Sequence, residues 1–158
     1  MNRQARPLNQ SLGNDPQPSF ETTARTMYMV KRLQHETYLR MDEVLQPLGV
    51  TVAQYTVLSL LGHRDGLSSA QLSRRYAVTP QTMIKLITHL ETKGVISRAE
   101  AETNRRVLVV SLTVEGRKLL AECEQAIDRV EAAMFGTLSR TETAQFRQMI
   151  VRVLGKPR

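Results

Sequence analysis

The sequence predicts a mainly α fold, α+β in detail: a winged helix-turn-helix of six helices with one β-hairpin between the fourth and the fifth. Three observations predict it. Apolar residues recur three or four apart along most of the chain beyond residue 20. The period changes at VISRAE and RRVLVVSL to short runs rich in β-branched residues. Just before that change, two capped helices are joined by a very short turn, Ala77 to Thr79, which is the helix-turn-helix arrangement.

Composition bounds the function. The 158 residues suffice for one domain with a real core, and 41% apolar content excludes a wholly disordered basic chain. Lys and Arg number 22 against 15 Asp and Glu, a formal charge of +7. That excess fits a polyanionic partner, nucleic acid before an anionic membrane surface. Aromatic residues make up 4% and Trp is absent, which argues against RNA or single-strand binders built on stacking platforms. The lone Cys123 excludes a disulfide framework and a zinc site of two or more thiolates within the chain. No apolar run reaches the roughly 18 residues of a membrane span. MNRQARPLNQ has charge with no hydrophobic stretch behind it, so no secretory signal and no membrane partner are expected. The expected setting is cytoplasmic, on the nucleoid if the partner is DNA.

Residues 1–20 hold Pro7, Pro16 and Pro18 among polar filler and are expected to form a flexible arm. Residues 21–155 are expected to form the domain. A long helix is predicted from Glu21 to Gln46, with Met27, Val30, Gln34, Tyr38, Met41, Val44 and Leu45 on its stripe, stopped by Pro47 and Gly49. Thr51 and Gln54 form a capping box for a second helix that turns Val52, Tyr55, Leu58 and Leu61 inward. Ser68 and Gln71 form another, opening a short helix to about Tyr76. Thr79-Pro80 caps the fourth helix, PQTMIKLITHLETK, which ends at Gly94. The stretch AETN is the expected hairpin turn. Thr113 caps a fifth helix striped by Leu119, Leu120, Cys123, Ile127, Val130 and Met134. Ser139 and Glu142 box the last, with Phe146, Met149, Ile150 and Val153.

In this order the chain resembles the MarR (multiple antibiotic resistance regulator) family of transcription factors. The resemblance is carried by LGVTVAQYTVLSLL, LSSAQLSRRYAVTPQTMIKLITHLETKGVISR and NRRVLVVSLTVEGRKLL. It implies a homodimer joined through its terminal helices, residues 21–46 and 114–155, with a DNA-binding lobe over residues 51–113. Two positions depart from the family pattern. Its wing usually carries Asp-x-Arg where this chain has Asn104-Arg105-Arg106, so Asn104 can hold the wing only by hydrogen bonds. Its usual turn glycine is Ala77, which implies local strain or a tighter turn.

The fourth helix has two faces. Met83, Leu86, Ile87 and Leu90 recur at core spacing, so Gln81, Thr82, Lys85, Thr88 and His89 face away. Gln pairs with adenine, Lys suits guanine or phosphate, and Thr meets a thymine methyl. Ile84 lies off the core stripe, in position for an apolar contact with thymine. Thr79 and the free amides at the helix start suit a phosphate. From the hairpin, Arg98, Arg105 and Arg106 are candidates for the minor groove, Arg106 first because it matches the family's wing arginine. The plainer alternative for one of them is cross-strand pairing with Glu100 or Glu102. Ser68, Arg74 and Arg75 are candidate phosphate contacts, with an ordinary solvated face as the alternative for the arginines. The implied dimer predicts a pseudo-palindromic operator in double-stranded DNA with half-sites roughly 34 Å apart.

The resemblance also implies control by a small aromatic or phenolic effector, commonly with release of a repressed promoter. Candidate lining residues are His35, Tyr38, Met41 and Tyr55, for which plain core or surface packing is the alternative. Cys123 falls on an apolar stripe and is expected to be inert rather than a thiol switch. No cofactor or metal is expected: His35, His63 and His89 are scattered, and His63, Asp65 and Ser68 crowd one turn, too close to converge as a catalytic triad. The rival to a DNA-binding regulator is a winged helix used for protein contacts, which would want a neutral or apolar exposed face.

Overall fold

The computed structural model describes residues 24–101 and 104–155, with Asn104 and Arg105 described by their backbone alone. The expected arm and the first residues of the predicted opening helix lie outside the described residues. In chain order the elements are α1 (Thr26–Leu45), a 3-10 turn (Gln46–Leu48), α2 (Val52–His63), β1 (Leu67–Ser68), α3 (Ser69–Tyr76), α4 (Pro80–Thr92), β2 (Ile96–Ala101), β3 (Asn104–Leu112), α5 (Val114–Phe135) and α6 (Arg140–Leu154). Two compact units divide the chain at His35/Glu36. The first contributes the N-terminal half of α1 and the second everything that follows.

The helix starts form as the side chains dictate. Thr51, Ser68 and Ser139 each accept a hydrogen bond from the backbone N–H three residues on, and Gln54, Gln71 and Glu142 return one from the cap's own N–H. The Ser139 bonds hold the Glu142 carboxyl below the usual carboxylate range. Thr79 and Thr113 cap α4 and α5 through the amides of Thr82 and Gly116.

One core gathers from α1 to α5 and the three strands, with nothing contributed by α6. Leu45, Val57, Leu58, Leu61, Leu67, Leu72, Met83, Ile87, Leu90, Val110, Leu120 and Cys123 are buried in it, with Met41, Tyr55, Tyr76, Val78, Leu86 and Ile127 packed around it. The sheet has the order β1-β3-β2. β2 and β3 pair antiparallel from Ile96↔Leu112 to Glu100↔Leu108, with a register shift after Glu100. β1 adds only Leu67↔Val110 and Ser68↔Val109. That strand was not foreseen, because two residues carry no period and Ser68 reads first as a cap. The hairpin strands also run further into AETN than expected, to Ala101 and from Asn104.

The turn between α3 and α4 is built around Ala77, the sole non-glycine residue with positive φ among the described residues (φ 58°). Ser73, small and buried at the crossing, donates its hydroxyl to the Val78 carbonyl at 2.6 Å, and the Val78 N–H returns to the Ser73 carbonyl at 3.1 Å. The strain expected at this position is therefore present, held by a closed pair of hydrogen bonds. Behind α4, Gly94 (φ 73°) reverses the chain into β2. Thr113 then ties the start of α5 back to that reversal, donating its hydroxyl to the Gly94 carbonyl at 2.8 Å and its N–H to that of Val95 at 3.1 Å. A Cβ at Gly116 would fall 1.8 Å from the Val95 carbonyl oxygen, so this approach requires glycine. The Thr113 and Gly116 spacing in the sequence is thus the junction of wing and recognition helix.

Replacing Ala77 with Gly is expected to relieve the left-handed strain and raise stability by roughly 0.5–1 kcal/mol. Thermal and urea unfolding check this; a destabilised Ala77→Gly variant would contradict the assignment of strain to the turn.

Candidate nucleic-acid interface

α4 presents its two faces as its spacing demands. Met83, Ile87 and Leu90 are buried and Leu86 packs against the core, while Gln81, Thr82, Lys85, Thr88 and His89 are all exposed. Ile84 is 52% exposed on the same outer side. A shallow cleft of about 490 Å³ runs along this face, lined by Ile84, Lys85, Thr88, His89, Thr92 and Lys93. At the helix start the Thr79 hydroxyl accepts from the Thr82 amide at 3.2 Å and contacts the Thr82 hydroxyl at 2.8 Å. The helix end is anchored by Lys93, which donates to the Gly49 carbonyl at 2.5 Å.

Arg98, a candidate for the minor groove, makes contacts within the lobe. Its guanidinium turns back onto α4, pairing with the Glu91 carboxylate at 2.7 Å and donating to the Thr88 hydroxyl at 3.1 Å. The partner found, Glu91, lies on α4 and not on the hairpin. Gly94 folds β2 back along α4, bringing Arg98 beside Glu91 and Thr88, and a pattern read strand by strand misses such a pair. Arg98 thus bridges β2 and α4. Its side chain is 29% exposed, and Nε is buried without a partner among the described atoms.

Arg106 is exposed on β3, beside the exposed Val107 and Leu108. Arg105 occupies the neighbouring position near the tip of the wing. Arg74 and Arg75 are exposed in the last turn of α3, where they face favourably into the helix dipole's negative end. Ser68 is half-buried and its hydroxyl oxygen serves the cap of α3, accepting from Gln71 at 3.3 Å.

The candidate effector residues fare differently. Met41 and Tyr55 pack on the core, Tyr38 is exposed, and His35, also exposed, belongs to the other compact unit. Burial pushes the Tyr55 hydroxyl up from its ordinary value, with Glu124 adding to it. Cys123 is fully buried, and burial, reinforced by Glu122 and Glu124, pushes its thiol up to about 11. Among the described residues no group of three or more His, Cys, Asp or Glu converges as a metal site. No single helix among them is long and apolar enough to cross a membrane.

A capped helix turned polar side out, a strained short turn before it and a cationic hairpin clamped behind it define a winged helix-turn-helix regulator. The sequence model of the MarR family matches residues 48–107, from the 3-10 turn to the wing. The HTH-type transcriptional repressor Rv2887 of Mycobacterium tuberculosis (strain ATCC 25618 / H37Rv) is 29% identical over 126 residues, covering 80% of this chain and 91% of that protein. The crystal structure of the Rv2887 complex with DNA matches at a TM-score of 0.69 and 28% identity, over 84% of this chain and 99% of that one. CouR from Rhodococcus jostii RHA1 bound to p-coumaroyl-CoA shares the fold, with a TM-score of 0.76 at 22% identity over 81% and 90% of the two chains.

Two outcomes follow from this geometry. Cys123 should resist iodoacetamide at pH 8 in the folded protein and react on unfolding, as mass spectrometry would show. Because its thiol titrates higher folded than unfolded, stability should fall as pH rises from its ordinary value of 9.0 through about 11. A rise in stability across that window would contradict burial as the cause.

Proposed function

We propose that the chain is a sequence-specific double-stranded DNA-binding repressor, acting as a homodimer on a pseudo-palindromic operator and responsive to a small ligand. The single observation that carries this is the outward face of α4. A helix whose apolar stripe is buried exposes Gln81, Thr82, Lys85, Thr88 and His89 together, in a chain of formal charge +7. B-form DNA has one groove wide enough to admit such a helix, and its base edges offer the donors and acceptors that these side chains match. In this reading Gln81 and Lys85 read bases, and Thr79, Arg74, Arg75 and Ser68 lie toward phosphates. Arg105 and Arg106 enter the flanking minor groove. The role of the relative Rv2887 as a repressor, and the DNA in the Rv2887 complex, support the same reading.

Dimerisation is supported by the apolar surface left on the terminal helices. Met27 is 78% exposed and Val30 56% on α1, and Val153 is 87% exposed on α6, where Met149, Ile150, Val151 and Leu154 are exposed too. Surface of this kind is stabilised by a second copy burying it. Control by a small aromatic or phenolic effector belongs to the same reading, and the exposed Tyr38 ring is its best-placed candidate contact. Such a ligand acts by preferring the lobe spacing that does not fit DNA. A repressor of this kind works in the cytoplasm, at the nucleoid, and needs no catalytic group.

Titrating a fluorescent operator fragment across salt tests the reading. Binding should weaken by on the order of a thousandfold between about 50 and 200 mM salt, because phosphate contacts release counterions; a constant affinity would refute it. Gln81→Ala and Lys85→Ala should lose roughly 1–3 kcal/mol of discrimination at single base pairs. Arg106→Ala should weaken specific and competitor DNA alike, and the reverse pattern would overturn these roles.

A further inference from the structure

The recognition face carries an apolar spot that a purely cationic DNA-binding surface does not need. Ile84 is 52% exposed on α4 while its neighbour Met83 is fully buried, so its position reflects the helix's orientation and not a loosened core. Thr88 lies one turn further along the same face, at the i+4 spacing that makes side chains neighbours on a helix. Its hydroxyl is turned to Arg98, at 3.1 Å, and Arg98 is in turn fixed by Glu91 at 2.7 Å. A threonine whose hydroxyl is turned toward Arg98 presents its methyl on another side of Cβ. Ile84 and Thr88 line the same cleft, together with Lys85 and His89.

We infer that Ile84 and the Thr88 methyl form a pocket for the C5-methyl of one thymine in each operator half-site, and that the Arg98–Glu91 clamp sets it by holding the Thr88 hydroxyl away from the bases. The inference rests on the proposed DNA-binding function and deepens it. Among the groups in the major groove, the thymine methyl is the apolar one, and an exposed branched aliphatic side chain discriminates it from the hydrogen-bonding edges of the other bases. Thr88 thus contributes apolar surface to base reading, while its polar atom serves the wing.

The test uses the full chain and a duplex enriched from a random pool. Each thymine is replaced in turn by 2′-deoxyuridine, which removes the methyl and leaves every hydrogen-bonding group in place. One position per half-site should weaken binding by about fourfold, the effect of losing one buried carbon's worth of apolar contact. In Ile84→Ala that penalty should vanish. Thr88→Ser, which keeps the hydroxyl and removes the methyl, should reduce it, whereas Thr88→Val should retain it. Circular dichroism confirms that the exposed-site variants fold. If no duplex is enriched, the DNA-binding function itself fails. If a duplex is bound but no deoxyuridine weakens it, or Ile84→Ala leaves the penalty intact, the methyl pocket alone is refuted.

Discussion

The structure depends on the burial of one stripe of α4. Met83, Ile87 and Leu90 anchor that helix in the core, and every functional statement about the opposite face follows from their burial. Burying three large side chains fully is worth several kcal/mol, on the order of 1.5–3 kcal/mol each. Rotating the helix to present another face would forfeit it. The reading surface is therefore rigid because the core is, and its exposed residues need no stabilising contacts of their own.

Around this anchor, three short polar connections set the helix's relations to its neighbours. The Ser73–Val78 pair closes the turn in front of it and tolerates the strained Ala77. Arg98, Glu91 and Thr88 join it to the wing behind. Lys93 ties its far end to Gly49, where the chain leaves α1 and its 3-10 turn. Each of these bonds spans two elements, so displacement of α1's end, of the wing or of α3 acts directly on the orientation of α4.

The sequence made the architecture legible where local chemistry and periodicity agree. Thr51, Ser68, Thr79, Thr113 and Ser139 marked helix starts because a capping oxygen three residues ahead of a free amide is a local device, and all five cap in the structure. The stripe of α4 was legible for the same reason. What was not legible depends on contacts between elements distant in pattern. β1 is too short to show a period. The partner of Arg98 was sought on its own hairpin and lies across the Gly94 reversal on Glu91. Ala126, buried on α5, is too small to stand out in a stripe of larger residues. Met41 and Tyr55, candidate effector contacts, pack against the core, and Met and Tyr at helical spacing look the same whether they line a cavity or fill one.

The terminal helices complete the account. In the proposed dimer their exposed apolar residues are the surface a second copy covers, and pairing of two chains converts one reading helix into two with a fixed separation. The most direct measurement is selection of bound duplexes from a random pool by the purified full-length protein. The account predicts enrichment of an inverted repeat whose half-sites are about one helical turn apart, roughly 34 Å between centres. Recovery of sequences with no shared motif, or of a single unpaired half-site, would contradict it.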